Sequence, residues 1–131
     1  MGNASSTNLP ASLKGLRVLV VEDEMIVSML IEDMLADLGC TVVGPAFTLA
    51  SGLEIARSAE FDCALLDVNL GGERVFPLVD LLREKGARIV FSTGYGRAGL
   101  RDEDQSRPVL QKPFRESELE RTLTAAVAAP A

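Results

Sequence analysis

The chain has no histidine in its 131 residues. That absence rules out Ser-His-Asp and Cys-His catalysis, histidine metal sites and a phosphohistidine carrier role on this chain. Only two cysteines occur, Cys40 and Cys63. Both stand in apolar contexts without metal-ligand spacing, so they read as buried thiols in a reducing cytoplasm. No apolar run reaches the length needed to cross a bilayer, and no secretory h-region is present. Positive charge is also short: 13 Lys and Arg stand against 19 Asp and Glu, a net charge of -6. That balance disfavours binding a nucleic-acid backbone over a broad surface. Whatever chemistry the chain performs must use carboxylates, hydroxyls, lysine, arginine and backbone.

What is present suits one globular domain. Apolar residues make up 47% of the chain, and 131 residues are enough for a single core. Residues 1–14 are polar and read as a flexible N-terminal tail, leaving 15–131 as the domain. The opening MGNASS also fits the M-G-x-x-x-[ST] myristoylation pattern, a match short enough to arise by chance.

Periodicity predicts alternating strands and helices. RVLVVE (17–22) is a nearly continuous apolar run, the mark of a strand buried on both faces. In 24–39, Ile26, Val27, Leu30, Ile31, Met34, Leu35 and Leu38 recur at helical spacing, and Gly39 supplies a stop. TVVGPAF (41–47) reads as a second strand, with Gly44-Pro45 suggesting an edge. A helix over 48–60, a strand over 62–67 and a loop VNLGGE follow. A third helix is expected around Phe76–Lys85, with Pro77 in its first turn. Strands at 87–93 and 108–111 and a last helix over 115–129 complete the pattern. Such alternation predicts a parallel sheet with helices on both faces. The stretch 94–107 should hold a fourth helix, but only Ala98 and Leu100 are apolar there and three glycines lower its propensity. A short, frayed or mobile helix is expected.

GYGRAG (94–99) spells G-x-G-x-x-G, the glycine fingerprint of dinucleotide binding. The context is wrong. That fingerprint belongs at the first strand-helix turn and opens a well-formed helix. Here it follows the fourth strand, and the first turn carries Glu22, Asp23 and Glu24, which would repel a diphosphate. The glycines are better suited to sharp turning after Thr93.

The carboxyl ends of the strands are more informative, because ligands of open parallel sheets bind along that edge. Glu22 and Asp23 end the first strand, Asp67 the third, Thr93 the fourth, and the fifth runs into Lys112-Pro113. Singly, each has an ordinary use: a helix cap for Asp23, a turn for Asp67, a strand position for Thr93, a solvated charge for Lys112. Together they place three carboxylates, a hydroxyl and an ammonium on one rim. Crowded carboxylates repel unless a cation sits among them. All-oxygen ligands suit Mg²⁺. A carboxylate beside Mg²⁺ can attack phosphorus, and Lys112 and Thr93 could then hold the phosphoryl oxygens.

VLVVEDE, CALLDVNLGG, IVFSTGYG and VLQKPF resemble, in order and spacing, the receiver domain of two-component response regulators over roughly residues 15–129. The resemblance implies an α/β flavodoxin-like fold: three layers, a doubly wound parallel five-stranded sheet in the order 2-1-3-4-5, and here a weak fourth helix. It makes Asp67 the phosphoacceptor, with Mg²⁺ held by Asp23, Asp67 and the Asn69 carbonyl and reached by Glu22 through water. Thr93 becomes the switch hydroxyl and Lys112 the phosphoryl partner. Pro113 becomes a candidate cis peptide. The sequence departs from the family where a switch aromatic usually stands three residues before the lysine: Val109 holds that place. F-S-T-G-Y-G is similar to the Phe-Ala-Thr-Gly-hydrophobic-Gly signature of a receiver subgroup that lacks this aromatic and often pairs with divergent histidine kinases. Gly94, Tyr95 and Gly96 then form the switch loop.

What the resemblance implies is a bacterial, cytoplasmic phosphorelay protein that catalyses its own phosphorylation and dephosphorylation rather than the turnover of a substrate. Its partners would be a sensor histidine kinase and either a downstream protein target or a competing response regulator for which it drains phosphate. No nucleic acid or membrane partner is expected. The family's common dimer surface uses the fourth helix, fifth strand and fifth helix, and with so little apolar surface on the fourth helix a monomer or weak dimer is expected. No output domain is recognised before residue 131. Two rivals stay open. A phosphatase of the haloacid dehalogenase type uses a similar residue set, but it needs a second Asp where Asn69 stands and a cap domain for which there is little room. A receiver-like interaction module that is never phosphorylated would not need the set Asp23, Asp67, Thr93 and Lys112.

Overall fold

The computed structural model describes residues 13–128. The myristoylation-like start and the expected tail up to residue 12 lie outside the described residues. The Leu13 side chain is buried within the core that includes Leu35 and Cys40.

Strands β1 (Arg17–Val21), β2 (Thr41–Ala46), β3 (Cys63–Asp67), β6 (Arg88–Thr93) and β7 (Val109–Gln111) form one parallel sheet in the order β2-β1-β3-β6-β7. For the five sheet strands this is the flavodoxin-like order 2-1-3-4-5 that was expected. A separate hairpin, β4 (Asn69–Leu70) with β5 (Glu73–Arg74), replaces the loop expected after Asp67. The helices are α1 (Met25–Asp37), α2 (Leu49–Ser58), α3 (Phe76–Glu84) and α4 (Glu116–Ala128).

Strand periodicity sorts the core into two layers. Leu19, Val21, Ala64, Leu66 and Phe91 point to α2 and α3, where Ala56, Leu78, Val79 and Leu82 meet them. Val18, Val20, Cys63, Leu65 and Val90 point the other way, to Ile31 and Leu35 of α1 and Leu119 and Leu123 of α4. Both cysteines are buried free thiols, as their contexts suggested. β2 lies at a sheet edge and carries Gly44-Pro45, and Pro77 sits in the first turn of α3.

Two expectations change. In α1, Ile26 and Leu30 were read as part of the apolar stripe, yet they are 75% and 55% exposed, beside exposed Met25 and Met29. The helix is apolar around more of its circumference than one sheet face can cover. The fourth helix does not form as an α-helix. Residues 94–107 hold two short 3₁₀ turns, Gly96–Gly99 and Asp102–Asp104. Three glycines and few apolar side chains leave an α-helix there no face to bury.

Candidate functional site

Register brings the rim together. Val21 of β1 pairs with Leu66 of β3, so the next residues, Glu22 and Asp67, emerge level. Asp67 pairs with Ser92, and Thr93 with Gln111, so Thr93 and Lys112 continue the same line. The chain switches direction across the sheet between β1 and β3, and the crevice opens at that point. A cleft of about 890 Å³ is lined by residues that include Asp23, Asp67, Asn69, Thr93, Gly94, Tyr95 and Lys112.

Carboxylate oxygens of Glu22, Asp23 and Asp67 lie within 4.8 Å of one another. Lys112 Nζ stands 2.7 Å from Glu22 Oε1 and 3.2 Å from Asp67 Oδ2. Glu22 and Asp67 are buried, and Asp23 is exposed at the mouth. The Asn69 amide donates to Asp67 Oδ1 at 3.1 Å, and the Gly71 amide to Asp23 Oδ2 at 3.0 Å. Thr93 is buried; its hydroxyl accepts from the Tyr95 amide at 3.0 Å, and its carbonyl accepts from the Lys112 amide at 2.8 Å.

Burial sets the electrostatics. Burial pushes the Glu22 carboxyl up to about 7; Lys112 pulls it back, and the charge of Asp67 adds to the rise. Burial also raises Asp67, against the opposing charge of Lys112 and the Asn69 amide. For Lys112, burial lowers the pKa, but Glu22 and Asp67 outweigh it and the ammonium is held above its usual range. One ammonium therefore faces a trio of carboxylates, two of them poorly solvated. That donor set, all hard oxygens with one member open to the cleft, fits a divalent cation such as Mg²⁺.

The structure brings together the predicted Glu22, Asp23, Asp67, Asn69, Thr93 and Lys112 at one cleft. The Lys112–Pro113 peptide is cis; so is Gly44–Pro45. Tyr95 lies on the cleft wall but is 81% exposed, and Gly96 has a left-handed backbone with φ +59°. Gly94 has no such backbone and open space where a Cβ would stand. Sequence reasoning passed over Arg74, which lines the cleft, and Asp104, which is fully buried. The signal for Arg74 was available: N-L-G-G-E-R is a two-residue Gly-Gly hairpin, and Gly71 and Gly72 both take positive φ, +60° and +93°.

Fold and rim together are those of a receiver. The family model for the response regulator receiver domain matches residues 18–124, and the chain belongs to that family. Among solved structures, SdrG from Sphingomonas melonis Fr1 is 37% identical, with 86% of this chain and 97% of that one covered and a TM-score of 0.78. The response regulator PhyR from Brucella abortus is 26% identical with a TM-score of 0.75; 87% of this chain is covered, but it spans only 48% of PhyR. The receiver domain of the sensor histidine kinase PA1611 from Pseudomonas aeruginosa PAO1, with a magnesium ion coordinated in its active site cleft, is 24% identical. It covers 88% of this chain and 99% of that one, with a TM-score of 0.77, and it speaks for the fold alone. A comparison with curated proteins gives no match. Among the described residues, no helix is long and apolar enough to cross a membrane.

Proposed function

We propose that the chain accepts a phosphoryl group on Asp67 from a sensor histidine kinase and uses the change to alter partner binding or to drain phosphate from another regulator. The observation that carries this reading is the ion-paired rim: three carboxylates within 4.8 Å, with Lys112 reaching two of them. Asp23, Asp67 and the Asn69 carbonyl would hold Mg²⁺, with Glu22 acting through water. When bound, Mg²⁺ neutralises crowded carboxylates and draws charge from the phosphoryl oxygens.

The chain's own residues supply the rest. An Asp67 oxygen attacks phosphorus in line, forming a P–O bond. The bond from phosphorus to the donor breaks, and its electron pair leaves with the donor: as acetate from acetyl phosphate, or on an imidazole nitrogen that then takes a proton. Lys112 follows the charge from the carboxylate to a phosphoryl oxygen, and the Thr93 hydroxyl donates to another. That demand on Thr93 competes with its hydrogen bond from the Tyr95 amide, so Gly94, Tyr95 and Gly96 form the switch loop. F-S-T-G-Y-G and the Val109 position support membership of the subgroup that lacks the switch aromatic. The exposed apolar face of α1, at the end of the helix nearest Asp23, suits a protein donor that must bring phosphorus down to Asp67.

Incubation with acetyl phosphate and Mg²⁺ followed by intact mass spectrometry tests the reading. The expected result is a single, base-labile phosphoryl adduct that is absent in Asp67→Asn. An unmodified parent chain overturns the proposal, and steady hydrolysis of a phosphate ester would favour the phosphatase reading instead.

A further inference from the structure

One arginine on the cleft wall has no part in the transfer just described. Arg74 ends β5, and its Nη2 donates to the Gly99 carbonyl at 2.7 Å. It lines the same cleft as Asp67, Thr93 and Lys112. Across the hairpin it pairs with Asn69, and the hairpin tip at Gly71 donates to Asp23 Oδ2. The hairpin therefore bridges the acidic pocket and the turn that follows the switch loop. At the far end a Cβ on Gly99 would be in ordinary van der Waals contact, 3.6 Å from Arg74 Nη2 and 3.7 Å from Val68 Cγ1.

Two guanidinium groups share the Phe76 ring, Arg101 at 4.6 Å and Arg74 at 5.5 Å. Arg101 is tied down by Asp80 and Asp104. Arg74 has no carboxylate partner among the described residues, and its guanidinium donates to a neutral carbonyl. A cation beside an anion site, held by a weak acceptor, changes partner when the anion arrives. The Arg74–Gly99 bond is charged on the donor side alone; a phosphoryl oxygen adds charge on the acceptor side, and the guanidinium fork matches phosphate geometry.

We propose that Arg74 is a latch for the 96–99 turn, an inference that rests on phosphorylation of Asp67. While Asp67 is free, the guanidinium holds Gly99 against the hairpin. When the cleft gains the phosphoryl dianion, Arg74 turns to its oxygens and releases the turn. Arg74 makes and breaks hydrogen bonds only, so it is a positioning residue.

The test is NMR on the full ¹⁵N-labelled chain with Mg²⁺, before and after acetyl phosphate, with intact mass measured on each sample. The parent chain should show both the Arg74 Nε–Hε signal and the Leu100 amide, whose peptide carries the Gly99 carbonyl, shifting on phosphorylation. In unmodified Arg74→Ala, the Leu100 amide should already lie near its phosphorylated position and move little further. Arg74→Lys, which keeps the cation, should restore a phosphorylation-dependent shift at Leu100. A phosphoryl adduct that leaves the Arg74 and Leu100 signals of the parent chain unmoved overturns the latch. A parent chain that gains no adduct overturns the phosphoacceptor reading and the latch with it.

Discussion

Glu22 concentrates the electrostatics of this protein in one side chain. Burial raises its pKa to about 7, above the 4.5 usual for a glutamate. A carboxyl raised on folding favours the fold while protonated. Between about pH 4.5 and 7 the unfolded chain has lost this proton and the folded chain keeps it, so stability falls as pH rises through that window. Asp67, raised for the same reason, acts in the same direction. Without divalent cations, thermal unfolding should therefore give a melting temperature that declines from pH 5 to 7. Glu22→Gln should flatten the decline, and an unchanged slope in that variant would refute the assignment. The identity of the rim residues was legible because acids, Thr93 and Lys112 stand at predicted strand ends. Their pKa shifts were not, because burial depends on which side chains from other elements close over them.

At the scale of elements, the segment 94–107 departs furthest from its sequence signal. Its polar, glycine-rich composition predicts a frayed helix, yet it is cross-braced. Asp104 is fully buried and accepts from Arg101 Nε at 2.8 Å and Arg107 Nε at 2.9 Å. Arg101 reaches on to Asp80 of α3 at 2.9 Å. Arg97 donates to the Gln105 and Arg107 carbonyls, and Gln105 returns a bond to the Arg97 carbonyl. Charged groups thus replace the apolar face that an α-helix would need. Removing Asp104 leaves two guanidinium groups without their shared acceptor, a loss of about 2 kcal/mol by the usual worth of hydrogen bonds to charged groups. Asp104→Ala should lower the urea midpoint accordingly, with amide exchange fastest in 97–107. An unaffected midpoint would show that the brace contributes little. Nothing in R-D-E-D-Q-S-R marks which acid turns inward; Asp102 and Glu103 stay exposed while Asp104 does not.

For the whole molecule, the net charge of -6 and the three clustered carboxylates lead to the expectation that a divalent cation stabilises the fold. A ligand that binds only the folded state at about 100 times its dissociation constant adds about 2.7 kcal/mol. In a domain of this size that is about 10 °C in melting temperature. Titrating Mg²⁺ should raise the melting temperature towards that extent in the parent chain and much less in Asp23→Asn. Equal rises in both would place the cation elsewhere. The cleft residues lie at the ends of central strands that carry side chains to both core layers.

Local pattern alone determined the five strands of the main sheet, the four α-helices between and after them, the edge position of β2 and the chemical inventory of the rim, because period, turn residues and strand ends are properties of neighbouring residues. Tertiary structure alone decided that Lys112 meets Glu22 and Asp67, that Arg74 reaches Gly99, that Asp104 is buried and that Ile26 and Leu30 are not. Those outcomes depend on register between strands and on how much helix surface a sheet can cover, and both are set by segments far apart in the chain.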